Sequence, residues 1–130
     1  MRECSVIDLP IDTPFIELET TLGMVDLHNF ADFSSFLFAT DGTVRLTWEG
    51  VGEGRFQIGS LPISRIELEF SSIIKFAVVP RDVDTPAAED RTVEFIEAQV
   101  VSSGGSRWRF VFSSAMEIIV EGGNPHVLVS

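Results

Sequence analysis

Cysteine occurs once in the 130 residues, at Cys4, and tyrosine not at all. A lone thiol rules out an internal disulfide and is the usage expected of a reducing compartment. With no Tyr beside 11 Phe and 2 Trp, the aromatic set carries area almost without polar handles. That composition belongs to a buried core rather than to a wet recognition surface. Basic residues are few as well: 9 Lys and Arg stand against 20 Asp and Glu, for a formal net charge of −11. Such a chain repels phosphate backbones and anionic bilayers, so neither nucleic acid nor membrane is an expected partner. The opening MRECSVIDLP has no apolar run of signal-peptide length, and no stretch approaches the length of a membrane-crossing helix. The expected location is therefore cytoplasmic.

What is present reads as one domain over residues 1–130. That length buries a real core without metals or disulfides, and the 45% hydrophobic content is ordinary for a globular chain. The most informative stretch is Arg107–Gly122, RWRFVFSSAMEIIVEG. Trp108, Phe110 and Phe112 alternate with Arg107, Arg109 and Val111, placing the large rings on one face of a strand. Beyond Ser113-Ser114, Met116, Ile118 and Val120 alternate in the same way. Ile66, Leu68 and Phe70 do so against Arg65, Glu67 and Glu69, and Ile74, Phe76 and Val78 continue after Ser71-Ser72. Thr40-Asp41-Gly42-Thr43 predicts a tight turn of type I′, joining strands at Ser35–Thr40 and Thr43–Glu49 into a hairpin. His126–Ser130 is expected to be a closing strand.

Residues 85–101 admit two readings. Thr85 as cap and Pro86 at the first helical position would start a helix running through Val93, Ile96 and Val100, which would make the fold α+β. Alternatively Thr92–Val101 is a strand joined by SSGGS to the aromatic strand, and the Gly104-Gly105 turn favours this. The trio Phe-Ser-Ser recurs at Phe33, Phe70 and Phe112, roughly forty residues apart, so a β-trefoil-like threefold repeat is an alternative. The flanks match well only between the second and third copies, which suits Ser pairs at strand bends better. The fold expected is an all-β, antiparallel two-layer β-sandwich.

Chemistry is harder to find. Asp82, Asp84, Glu89 and Asp90 crowd one loop, and carboxylates on a sandwich loop are what Ca²⁺ takes; the spacing and glycine of an EF-hand are missing. His28, within Asp26-Leu27-His28-Asn29, and His126 are the other ligand candidates, but they form no pair at metal-ligand spacing. No nucleophile-elbow pattern occurs. Gly50–Gly54 lacks the lysine and following helix of a phosphate loop. Trp48 and Trp108 would suit a sugar platform if exposed, yet both lie in register with core-facing residues. Arg107 and Arg109 are expected to pair across strands with Glu67, Glu69 or Glu94. No cofactor is expected and no catalytic residue is assigned. The leading reading is a non-enzymatic interaction or binding module for a basic protein partner, immunity- or inhibitor-like in its charge alone. A carbohydrate- or calcium-binding sandwich and a homo-oligomeric module built by edge pairing, as at the strand ending in Ser130, are the alternatives.

Overall fold

A computed structural model describes residues 2–52, 54–101 and 104–130. Glu53 of the GVGEG turn and Ser102-Ser103 of the SSGGS turn lie outside the described residues. In chain order the strands are β1 (Arg2–Ser5), β2 (Glu17–Thr20), β3 (Gly23–Asp26), β4 (Ala31–Phe38), β5 (Val44–Gly50), β6 (Gln57–Ile58) and β7 (Leu61–Pro62). There follow β8 (Arg65–Phe70), β9 (Lys75–Val79), β10 (Val93–Val100), β11 (Ser106–Phe112), β12 (Glu117–Gly122) and β13 (His126–Val129). They form a five-stranded sheet, β1-β13-β8-β5-β4, and a four-stranded sheet, β10-β11-β12-β9, both antiparallel throughout. The four very short strands β2-β3-β6-β7 make a third sheet, which the sequence pattern does not announce.

The two larger sheets pack face to face through their aromatics. Trp48 on β5 meets Phe110 on β11 with ring centroids 5.7 Å apart. Phe33 on β4 meets Phe112 at 4.9 Å, and Phe70 on β8 meets Trp108 at 5.8 Å. Trp48 and Trp108 are both 0% exposed, as their register with core residues requires, so neither offers a face to a sugar ring. Leu18, Val25 and Ile58 carry the same core into the small third sheet. Fully burying a side chain of this size contributes about 1.5–3 kcal/mol, so this set of rings dominates the apolar term.

The three Phe-Ser-Ser sites do three different jobs, and no trefoil results. At Phe33–Ser35 the register of β4 against β5 slips by a bulge, where Ser34 Oγ donates to the Thr47 carbonyl at 3.2 Å. At Phe70–Ser72 the chain leaves one sheet for the other, with Ser72 at φ 54°. At Phe112–Ser114 it turns a hairpin, with Phe112 N–H donating to the Met116 carbonyl and Ala115 N–H to that of Phe112. The hairpin at Ala39–Thr43 has the same two bonds, Ala39 N–H to Thr43 and Gly42 N–H to Ala39. Only Gly42, at φ 85°, is left-handed there, so this is a three-residue loop with a left-handed third residue, not the type I′ turn expected from Asp-Gly.

Residues 85–101 satisfy the strand reading, with a small concession to the helical one. Ala87–Arg91 form a single 3-10 turn without a side-chain cap, so Thr85 does not cap it, and β10 begins at Val93. A 3-10 turn buries nothing by itself, and the β-branched and aromatic residues that follow bury far more as a strand. β13 also differs from expectation: it is interior, between β1 and β8, and Ser130 N–H donates to Arg65 at 3.0 Å. The strand that ends the chain is therefore no free edge.

Candidate interaction surface

A sandwich has two flanks where the edges of its sheets face each other, and here they are treated differently. One is closed by the chain itself. Residues 6–20 run along it, with Phe15 bridged to Ile96 and Ile11 to Ala98 on β10, and Val6 to Thr20. Phe15 and Ile96 exchange two backbone bonds of 2.8–2.9 Å, and Asp12 N–H donates to the Ala98 carbonyl at 2.9 Å. The Phe15 ring then stands edge-on to Trp108 at 6.1 Å.

The other flank is open. Its edges are β4 and β9, each paired with one neighbouring strand among the described residues. Phe36 and Phe38 reach from β4 to Phe76 on β9, with centroids 5.8 and 5.5 Å apart. The lip so formed is wet, with Phe36 43% and Phe38 52% exposed; Leu37 between them, 55% exposed, points to the other face of β4, and Ile74, just before β9, is 64% exposed. Large apolar side chains gathered on an edge mark a surface that a monomer gains nothing by showing to water. The first half of β4 is shielded by the 3-10 turn packed against it, and between them lies a depression of about 420 Å³ lined by Ser34, Ser35, Phe36, Arg91 and Met116 among others.

Backbone chemistry reinforces the side chains. Because Ala39 bonds Thr43 across the hairpin, the antiparallel alternation makes Leu37 opposite Arg45 the next bonded pair. Phe36 and Phe38 fall between, so their N–H and C=O groups point away from β5 and toward the open flank. The residues with wet rings are also those with unused main-chain groups.

A second depression, of about 320 Å³, lies on the outer face of the four-stranded sheet and is lined by Glu97, Gln99, Arg107, Arg109 and Ile119. Arg109 donates to Glu117 at 2.5 Å and to Glu97 at 2.7 Å. The bond to Glu117, with the charge of both carboxylates, holds its guanidinium above the ordinary range. These partners are not the Glu67, Glu69 and Glu94 expected from sequence. Glu67 pairs with Arg65 and Glu69 with Arg45, while Glu94 accepts from the Ser113 hydroxyl. Arg107 Nε is buried and has no hydrogen-bond partner among the described residues. Among the described residues its lining includes no Ser, Cys or His, and Glu97 stands among its walls.

The ligand candidates are dispersed. Arg81 takes Asp90 at 2.5 Å, and Asp82, Asp84 and Glu89 are exposed on the loop. His28 Nδ1 donates to the Val93 carbonyl at 2.7 Å, tying the turn after β3 to the start of β10. His126 Nε2 lies 3.3 Å from Glu3. Among the described residues no three His, Cys, Asp or Glu are placed to hold a metal ion. Neither histidine is hydrogen-bonded to a serine or cysteine among those residues. Cys4 is buried, and desolvation pushes its thiol up despite a bond with Thr20, which weakens it as a nucleophile. Among the described residues no helix is long and apolar enough to cross a membrane. The open flank was missed at the sequence level, because Phe36 and Phe38 alternate just as core residues do. Neither a protein-family model, nor a curated protein, nor a solved structure matches the chain.

Proposed function

We propose that this protein is a non-enzymatic interaction module that binds a protein partner through the flank between β4 and β9. One observation carries this reading: the exposed rings of Phe36 and Phe38 lie together on the edge strand β4 with their main-chain groups turned outward, and they meet Phe76 on the second edge strand, β9. Burying them in a partner removes apolar area from water and satisfies the outward N–H and C=O groups together. With a net charge of −11, the protein favours a basic partner and associates faster with it at low salt. It works, in this reading, in a reducing compartment such as the cytoplasm, where the buried Cys4 stays a thiol.

The test is site-specific photo-crosslinking in the native host. A benzophenone side chain is placed at Leu37 in one variant and at Val100, on the far edge of the same molecule, in another. A protein adduct formed from Leu37 and not from Val100 supports the reading. Adducts from Val100 alone, or none from either, overturn it.

A further inference from the structure

We infer that the occupant of this flank is an extended, positively charged segment of the partner, added as a strand along β4 with apolar side chains set against Phe36, Phe38 and Phe76. The inference rests on the flank being the partner surface and goes on to name what binds there and how.

Two independent observations lead to it. The first is the fold's own precedent. On the closed flank an irregular stretch, left-handed at Asp8 and Asp12, makes two isolated bridges to β10, parallel at Ile11 and antiparallel at Phe15, and sets the Phe15 ring edge-on to Trp108. The open flank offers the same elements without the stretch: an edge with outward groups at Phe36 and Phe38, and a ring, Phe76, behind them. A strand is the shape that satisfies such an edge, since each added residue pair meets the alternating N–H and C=O groups.

The second observation is charge. β4 runs from the 3-10 turn that carries Glu89 and follows Asp82 and Asp84 in the same connection, up to the hairpin whose tip holds Asp41. Arg81 is engaged by Asp90, so it does not neutralise them, and Lys75 and Arg91 offset only part of the remaining charge. A second copy of this chain would bring a further −11 to the contact, whereas lysines or arginines flanking an apolar strand meet carboxylates on both sides.

The experiment uses the full chain and two labelled peptides of about ten residues, one alternating valine and phenylalanine with lysine, the other with glutamate in place of lysine. Fluorescence anisotropy is read on wild type, Phe38→Val and Phe38→Pro. Valine keeps the outward N–H of an edge position and proline removes it, without touching the bonds to β5. Thermal melts confirm that both variants fold. The lysine peptide is expected to bind at least about tenfold more tightly than the glutamate peptide, and to weaken about tenfold as salt rises from about 0.05 to about 0.5 M. Phe38→Pro is expected to bind it about tenfold more weakly than Phe38→Val.

Equal affinity for both peptides, insensitivity to salt, or no binding of the lysine peptide at about 1 mM overturns the cationic occupant. Equal binding by the two variants overturns strand addition. A wild-type dimer in sedimentation equilibrium that Phe38→Pro dissolves gives the flank to a second copy and overturns the proposal. A crosslink from Leu37 with any of these results leaves the partner surface standing and removes only this occupant.

Discussion

At the scale of single residues, the two tryptophans are equally buried but not equally satisfied. Trp108 Nε1 donates to Asn124 Oδ1 at 3.4 Å, while Trp48 Nε1 is buried with no hydrogen-bond partner among the described residues. A buried donor left unpaired costs about 1–3 kcal/mol, so replacing the indole by an apolar ring removes a penalty at one position and a bond at the other. Trp48→Phe is therefore expected to be less destabilising than Trp108→Phe by about 1 kcal/mol in urea unfolding. The reverse order would mean that Trp48 has a partner in solution. Asp41 gives a pH prediction. Its carboxylate accepts from the Thr43 hydroxyl at 2.7 Å and the Thr43 amide at 3.0 Å, which hold its pKa below the usual aspartate range. Because the folded pKa is the lower one, its contribution is present above the ordinary aspartate range and is lost as pH falls through the folded value. Wild type should lose more stability over that acid window than Asp41→Asn, as read by denaturant titration at each pH. Parallel pH profiles for the two proteins would show that the turn bonds do not depend on the charge.

At the scale of elements, the hairpins β4–β5 and β11–β12 are a natural experiment. Both close by the same two backbone bonds around three loop residues, but the third is Gly42 in one and Ala115 in the other. Gly42 sits at φ 85° with nothing within 4 Å of where a Cβ would be, so Gly42→Ala isolates the conformational cost without a clash. We expect it to destabilise by about 1 kcal/mol. Ala115, at φ 69°, already carries that strain, and Ala115→Gly should be neutral or stabilising by up to about 1 kcal/mol. Thermal melts of the pair give opposite signs if the left-handed position is the cause, and like signs if it is not. The periodicity of β8, β11 and β12 was readable in the sequence because each buries one face, and alternation is the signature of a half-buried strand. The roles of the Phe-Ser-Ser trios were not readable. A bulge, a crossing and a hairpin all need two small polar residues after a buried ring, and only the neighbours in space tell them apart.

At the scale of the whole molecule, the charge of −11 presses the folded chain apart, while exposed ion pairs such as Arg45 with Glu69 return little. Added salt should thus raise Tm at neutral pH before any specific ion effect, since screening relieves net repulsion more than it weakens a few surface pairs. A Tm that falls with the first additions of salt would show that the pairs dominate.

The amino-acid sequence by itself determined the β class and the hairpin after Phe38, and it favoured the burial that Trp48 and Trp108 show. Each of these follows from local alternation, turn chemistry or composition, all properties of neighbouring residues. Strand order was decided only by the tertiary structure. It put β13 inside a sheet and β4 and β9 at its edges, and it made Arg109 meet Glu97 and Glu117 rather than the glutamates of β8. Phe36 and Phe38 carry the same alternation as Phe110 and Phe112, yet one pair is wet and the other buried. An edge is defined by the absence of a next strand, and no local pattern encodes which strands lie beside one another.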